Sequence, residues 1–99
     1  MDFLVIARDG TDAGALERRL AAREAHLAGA RQMVADGKMP VGGAILDDAG
    51  RMVGSMTVVS FPDRAALDAW LAEDPYVRQG VWQSIEVHPF RIAVQQGRP

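Results

Sequence analysis

The sequence predicts an α+β fold of ferredoxin-like order, βαββαβ, with an antiparallel sheet that carries both helices on one face. Three observations support this. Apolar, β-branched runs bounded by turn residues recur four times along the chain. Two longer stretches between them follow a helical period instead. The order in which these segments alternate then matches the split βαβ arrangement. A length of 99 residues has room for one domain, residues 1–99.

"DFLVIAR", residues 2–8, stops at the turn pair Asp9-Gly10 and reads as the first strand. Phe3, Val5 and Ala7 line one face and Leu4 and Ile6 the other, so both faces need cover. From about Asp12 to Asp36 the pattern is helical. Leu16, Leu20, Leu27, Ala30 and Val34 share one stripe at about 100° per residue and are the expected buried face. Gly37 is the natural stop. Gly29, inside the helix, costs about 1 kcal/mol relative to alanine and predicts a close approach there. "MPVGGAILD" (39–47) and "RMVGSMTVVSF" (51–61) flank the turn signal Asp48-Ala49-Gly50. Pro40 and Gly42-Gly43 predict an edge or bulged strand.

"PDRAALDAWLAED" (62–74) is the second helix, started by Pro62 or Asp63, with Ala66, Leu67, Trp70 and Leu71 inward. Asp74 then caps a short helical turn that has Pro75 first and Gly80 just past its end. "VWQSIEVHPFRIAV" (81–94) is the last strand, where Pro89 predicts an edge position or a bulge near His88. Helices on one face leave the other face of the sheet open. A second copy of the chain is its expected cover, which predicts a homodimer joined sheet on sheet.

Composition narrows the function. Hydrophobic residues are 48% and charged residues 24%, as in an ordinary globular domain. Net charge is -2 and the basic residues are scattered, so nucleic acid is not an expected partner. The chain has no cysteine, which removes disulfides, thiolate metal sites and cysteine nucleophiles together and suits a reducing cytoplasm. The opening "MDFLVIARDG" carries an acid where a signal peptide needs bases, and its apolar run is too short to span a membrane. Two histidines 62 residues apart, without HxH or HExxH spacing, do not suggest a metal site. Gly42-Gly43 lacks the spacing of a phosphate or dinucleotide loop. No cofactor is expected.

His26 lies about 80° from the centre of the leucine stripe, at the border between buried and exposed. Arg23 lies only about 20° from that centre, where a guanidinium must snorkel or meet an anion. The plain structural alternatives are a boundary histidine bonded to the backbone and an arginine stem packed with its head in water. Asp74 has about four acceptor sites, so it can cap a helix and also hold an imidazole. Ser55 follows Gly54 in a strand without a nucleophile elbow around it. Trp70 reads as a core anchor. Tyr76 and Trp82 flank the "PYVRQG" turn, where one of them can wall a pocket for a flat ligand.

Taken together, "LERRLAAREAHLAGARQMVADGKM", "GSMTVVSF", "AWLAEDPYVRQGVW" and "IEVHPFRI" resemble the YciI-like, or YCII-related, family of small bacterial proteins along nearly the whole chain. The most specific pieces are R-x-x-H-L at Arg23 to Leu27 and D-P-Y at Asp74 to Tyr76. The resemblance implies a ferredoxin-like fold that dimerises as an α+β barrel. It also implies a pocket centred on His26 and Asp74, with Ser55 and Arg23 as neighbours. The chain departs from the family at His88, where relatives often have lysine, and in a shorter hairpin over "ILDDAGRMVG".

The expected activity is acid/base chemistry of isomerase or lyase type on a small molecule. His26 would be the base oriented by Asp74, with Arg23, Ser55 and Tyr76 binding substrate. The alternatives are a dimer that holds a small anionic or aromatic ligand without turnover, or a structural dimer with a vestigial pocket.

Overall fold

The computed structural model of the protein describes residues 1–97; Arg98 and Pro99, counted in the predicted domain, lie outside the described residues. The chain forms β1 (Asp2–Asp9), α1 (Ala15–Ala35), β2 (Val41–Leu46), β3 (Met52–Ser60), α2 (Arg64–Glu73), the single turn α3 (Pro75–Arg78) and β4 (Trp82–Phe90). The sheet is antiparallel throughout, in the order β2-β3-β1-β4. This is the ferredoxin-like α+β arrangement the sequence predicts. β2 and β4 are the edges, as Pro40, the Gly42-Gly43 pair and Pro89 require.

Alternation sorts the side chains. Phe3, Val5, Ala7 and Asp9 of β1 are buried beneath the helices, and Val59, Thr57 and Ser55 stand beside the first three. Leu4 and Ile6 face the other way, next to Val58 and Met56 of β3 and His88 and Glu86 of β4. The core joins Phe3, Val5 and Val59 to Leu67 and Leu71 of α2, Tyr76 of α3, and Val81 and Trp82. Asp63 caps α2 through a 2.8 Å bond from the Ala66 N–H. Gly37 and Gly80 follow α1 and α3 with φ of 73° and 70°, the left-handed conformation suited to a helix stop.

α1 departs from expectation. Its buried residues are Ala15, Arg19, Ala22 and Met33, while Leu16, Leu20 and Val34 of the predicted inner stripe are exposed. Leu27 and Ala30 are half-buried, and together with Val34 they line a cavity. The apolar stripe therefore borders an opening, and small alanines with one arginine face the sheet. Arg23, close to the centre of the stripe, is exposed for the same reason. Gly29 has open space around it and permits no close approach.

Two register shifts shape the functional end. Between Arg8 and Asp9, β1 moves from Ser84 to Trp82 of β4, which leaves Gln83 as a bulge. Without that extra residue Trp82 would share the open face with Ser84 and Glu86; the bulge turns it inward beside Asp9. A second shift leaves Val53 unpaired between Gly54 and Met52. Among the described residues no helix is long and apolar enough to cross a membrane.

Gly54 is a point of close approach in the β1–β3 pairing. A Cβ there would stand 2.5 Å from the Ala7 carbonyl oxygen. Gly54→Ala must displace a central strand and is expected to cost about 1–3 kcal/mol. That corresponds to a fall of roughly 4–8 °C in melting temperature per kcal/mol. Gly43→Ala, where a Cβ meets nothing within 4 Å, is the control and should stay within about 0.5 kcal/mol. Equal melting temperatures for the two variants would refute the close approach.

Candidate active site

The end of α2 and the start of α3 hold one half of the site. Asp74 leaves the helical conformation at φ -66°, ψ 133°, and Pro75 begins the next turn. The Asp74 Oδ1 accepts the Tyr76 N–H at 2.8 Å, which makes Asp74 a helix cap. The same carboxylate lies 2.9 Å and 3.1 Å from His26 Nδ1 on α1. The two uses predicted for Asp74 therefore coexist in one side chain. A carboxylate only accepts, so Nδ1 carries the shared proton, and in the neutral imidazole the lone pair is on Nε2.

The imidazole is clamped on further sides. It stacks on Tyr76, with ring centres 3.8 Å apart and planes 12° from parallel. Trp82 meets it edge-on at 5.5 Å. Its side chain is 13% exposed, the border position expected from the helix angle. Tyr76 itself is 1% exposed and supports His26 from beneath, and both Tyr76 and Trp82 border the cavity between α1 and the β2–β3 edge.

The second half is a buried polar network that the sequence did not reveal. Arg19 Nη1 donates to both oxygens of Asp9 at 3.0 Å and 3.1 Å, and Nη2 donates to Ser55 Oγ at 2.9 Å. Trp82 Nε1 donates to the same Oγ at 3.1 Å. The Arg19 guanidinium lies 4.8 Å from the centre of the Tyr76 ring, within cation–π range. Asp9 was expected in a turn with Gly10; it is instead the last residue of β1, buried against Arg19. One signal was available. Arg19 and His26 are seven residues apart and share a helix face to within about 20°.

Between α1 and the β2–β3 edge lies a cavity of about 330 Å³, bordered by His26, Arg19, Ser55, Tyr76 and Trp82. Small residues on β2, Gly42 to Ala44, leave the space open. Arg23 and Arg31 complete a lining that has, among the described residues, three arginines and no carboxylate. In a chain of net charge -2 that is a local reversal, and it favours an anionic guest. Arg23 is thus placed beside His26 at the cavity, as is Ser55. His88 is on the opposite face of the sheet, exposed and 3.3 Å from Glu86. No group of three or more potential metal ligands occurs among the described residues.

The fold and the cavity together define a class. A solved structure of 5-chloro-2-hydroxyhydroquinone dehydrochlorinase from Burkholderia phenoliruptrix AC1100, in complex with 2,5-dihydroxybenzoquinone, superposes with a TM-score of 0.80 at 26% identity. It covers 92% of this chain and 94% of that one. An antibiotic biosynthesis monooxygenase shares the fold, with a TM-score of 0.56 at 18% identity, over 91% of this chain and 99% of the other. The chain is therefore of the dimeric α+β barrel fold class. Within that class it belongs to the YCII-related domain family, which matches residues 1–91. An uncharacterized protein of Haemophilus influenzae is 37% identical, across 92% of this chain and 97% of its own length. Protein YciI of Escherichia coli is 33% identical over the same shares.

Burial pushes the Tyr76 phenol above its ordinary range, and the charges of Asp9 and Asp74 add to the shift against the opposing Arg19 and Arg23. The folded value lies above the unfolded one of about 10. The stabilisation is therefore complete below about pH 10 and is lost as pH rises through the folded value. Tyr76 is the chain's one tyrosine, so tyrosinate absorption reports it alone. Titration in the native protein should fall above that of the unfolded chain, and Tyr76→Phe should flatten the alkaline loss of stability. Coincident native and unfolded titrations would show that the phenol is solvated.

Proposed function

We propose that the protein is an acid/base catalyst of isomerase or lyase type acting on a small, planar, oxygenated ring. The observation that carries this reading is His26, held by Asp74 and Tyr76 so that Nε2 is the atom free to exchange a proton at an arginine-lined cavity. His26 would take a proton from the substrate and return it to product or leaving group. Asp74 would fix the tautomer and stabilise the imidazolium. Arg23 and Ser55 would meet the oxygen on which negative charge gathers. Such chemistry asks nothing more of the chain. The 26% identical dehydrochlorinase supports the reading, since removal of HCl from a ring couples proton transfer to loss of chloride.

We also propose that a second copy covers the open sheet face. Leu4, Ile6, Met56 and Val58 form an apolar centre on the two inner strands, flanked on β4 by Ser84, Glu86 and His88. Val58 is already buried in the single chain, while Leu4, Ile6 and Met56 are half-exposed, and among the described residues the helices lie on the opposite side, so a second chain is the cover proposed for this patch. Leu4→Glu or Ile6→Glu should yield a folded monomer or an unfolded chain, read by sedimentation. A wild-type protein that sediments as a monomer at micromolar concentration would refute the dimer.

The catalytic reading is tested with 2,5-dihydroxybenzoquinone as the first ring probe and its chlorinated hydroquinone relatives as substrates. His26→Ala should reduce turnover by about 10²–10⁴-fold, the usual contribution of a positioned acid/base group. Its stability should fall by only about 1–2 kcal/mol. Asp74→Asn retains a capping side chain but removes the charge facing His26; it should lower turnover while the melting temperature stays near wild type. Probe binding without turnover in wild type would favour the binding protein. A large loss of stability in His26→Ala with unchanged affinity would make His26 structural.

A further inference from the structure

Ser55 Oγ accepts two hydrogen bonds from the protein, from Arg19 Nη2 at 2.9 Å and Trp82 Nε1 at 3.1 Å. A hydroxyl has two acceptor lone pairs and one hydrogen to donate. Guanidinium and indole N–H groups are donors only, so neither can accept that hydrogen. Both lone pairs are thus occupied, and no acceptor among the described residues takes the proton. Ser55 borders the cavity that His26 also borders. We infer that Ser55 is a fixed hydrogen-bond donor that reads an acceptor oxygen on the ligand, and that Arg19, Asp9 and Trp82 are the positioning residues that fix it. This inference rests on the acid/base reading of the same site.

The environment strengthens that donor. A hydroxyl that accepts from a guanidinium is polarised, and its own donation becomes charge-assisted in effect. Arg19 cannot swing away. Asp9 holds one of its nitrogens through both carboxylate oxygens, and Tyr76 lies under its guanidinium. A buried ion pair contributes little net stability compared with apolar packing, which suits a positioning role.

The pocket then has two opposite poles. His26 Nε2 accepts a proton, and the Ser55 hydroxyl donates to an oxygen. A matching substrate loses a proton from carbon or oxygen to the first pole while charge accumulates on an oxygen at the second. Phenols, enols and ring ketones with an acidic hydrogen meet this condition. A ligand whose polar groups are all N–H donors does not, because it would set donor against donor at Ser55.

The test uses 2,5-dihydroxybenzoquinone, with affinity from calorimetry and the ionisation of the bound quinone from its visible absorption across pH. Wild type should bind it and ionise it at lower pH than in free solution. Ser55→Ala should weaken binding by at least about tenfold and return the bound probe's ionisation toward the free value. Ser55→Thr keeps the hydroxyl and should behave as wild type. Trp82→Phe releases one lone pair, lets the hydroxyl rotate, and should give an intermediate shift. The ionisation of bound probe is read only on folded, occupied protein, so a merely structural role would leave it unmoved. Should Ser55→Ala fail to fold, Ser55→Cys preserves volume with a weak donor and should show the same loss. Affinity within twofold of wild type and an unmoved ionisation in these variants, with the probe still bound by wild type and lost in His26→Ala, would overturn the Ser55 inference alone. Failure of wild type to bind any oxygenated ring would overturn the acid/base reading and this inference with it.

Discussion

Arg19 is 3% exposed, and the rest of the functional end is arranged around its charge. A guanidinium out of water is tolerated only where its charge and its donors are met. Asp9 supplies the charge, Ser55 takes the next N–H, and Tyr76 offers its ring. Each partner comes from a different element, β1, β3 and α3. The pairing therefore ties α1 to the sheet and to the turn after α2 at one point. Ala15 and Ala22, on the same face of α1, are small enough to let the helix seat over the sheet while Arg19 reaches down. Removing either charge would leave the other buried and unpaired, the costly case for ion pairs.

Backbone irregularity does the remaining placement. Regular alternation would send Trp82 to the open face, away from Ser55. The Gln83 bulge reverses that and brings the indole N–H to the same oxygen that Arg19 uses. At the other corner, Asp74 breaks α2 and starts α3, so its carboxylate is fixed by the Tyr76 N–H before it meets His26. The cap sets the orientation of the carboxylate that meets His26, and Tyr76, one residue after Pro75, slides under the imidazole. One turn of helix thus supplies both the carboxylate and the stacking surface.

Much of this fold is legible in the sequence because its elements are locally consistent. Strand runs, the Asp63 and Asp74 caps, the stops at Gly37 and Gly80 and the edge signals of Pro40 and Pro89 all rest on short-range chemistry. The His26–Asp74 contact spans 48 positions, beyond any local signal, and only the family resemblance and the spare acceptor sites of a capping aspartate point to it. The buried face of α1 was not legible. Its leucines look like a core stripe, but periodicity reports apolar surface and not whether a cavity or a sheet lies opposite. Arg19 resembles its half-buried neighbour Arg18 because a pair of arginines carries no local sign of which one is buried. The bulge at Gln83 has no glycine or proline to announce it.

The polarity of the cavity follows from where charges are allowed to end. Asp9 and Asp74 are both buried, yet each faces away from the opening toward a cation or imidazole. Their charge is consumed in orienting Arg19 and His26, which in turn border the cavity. What a guest meets is therefore the far side of each pair, with Nε2 of the imidazole, the Ser55 hydroxyl, Arg23 and Arg31 at the rim. Carboxylates one layer back and donors in front make a site that favours an anion despite the chain's net charge. The same layering accounts for the small residues on β2. Larger side chains at Gly42 and Ala44, which stand beside Thr57 and Ser55, would fill the volume that separates those donors from solvent, and the buried network would then hold its geometry with nothing to bind.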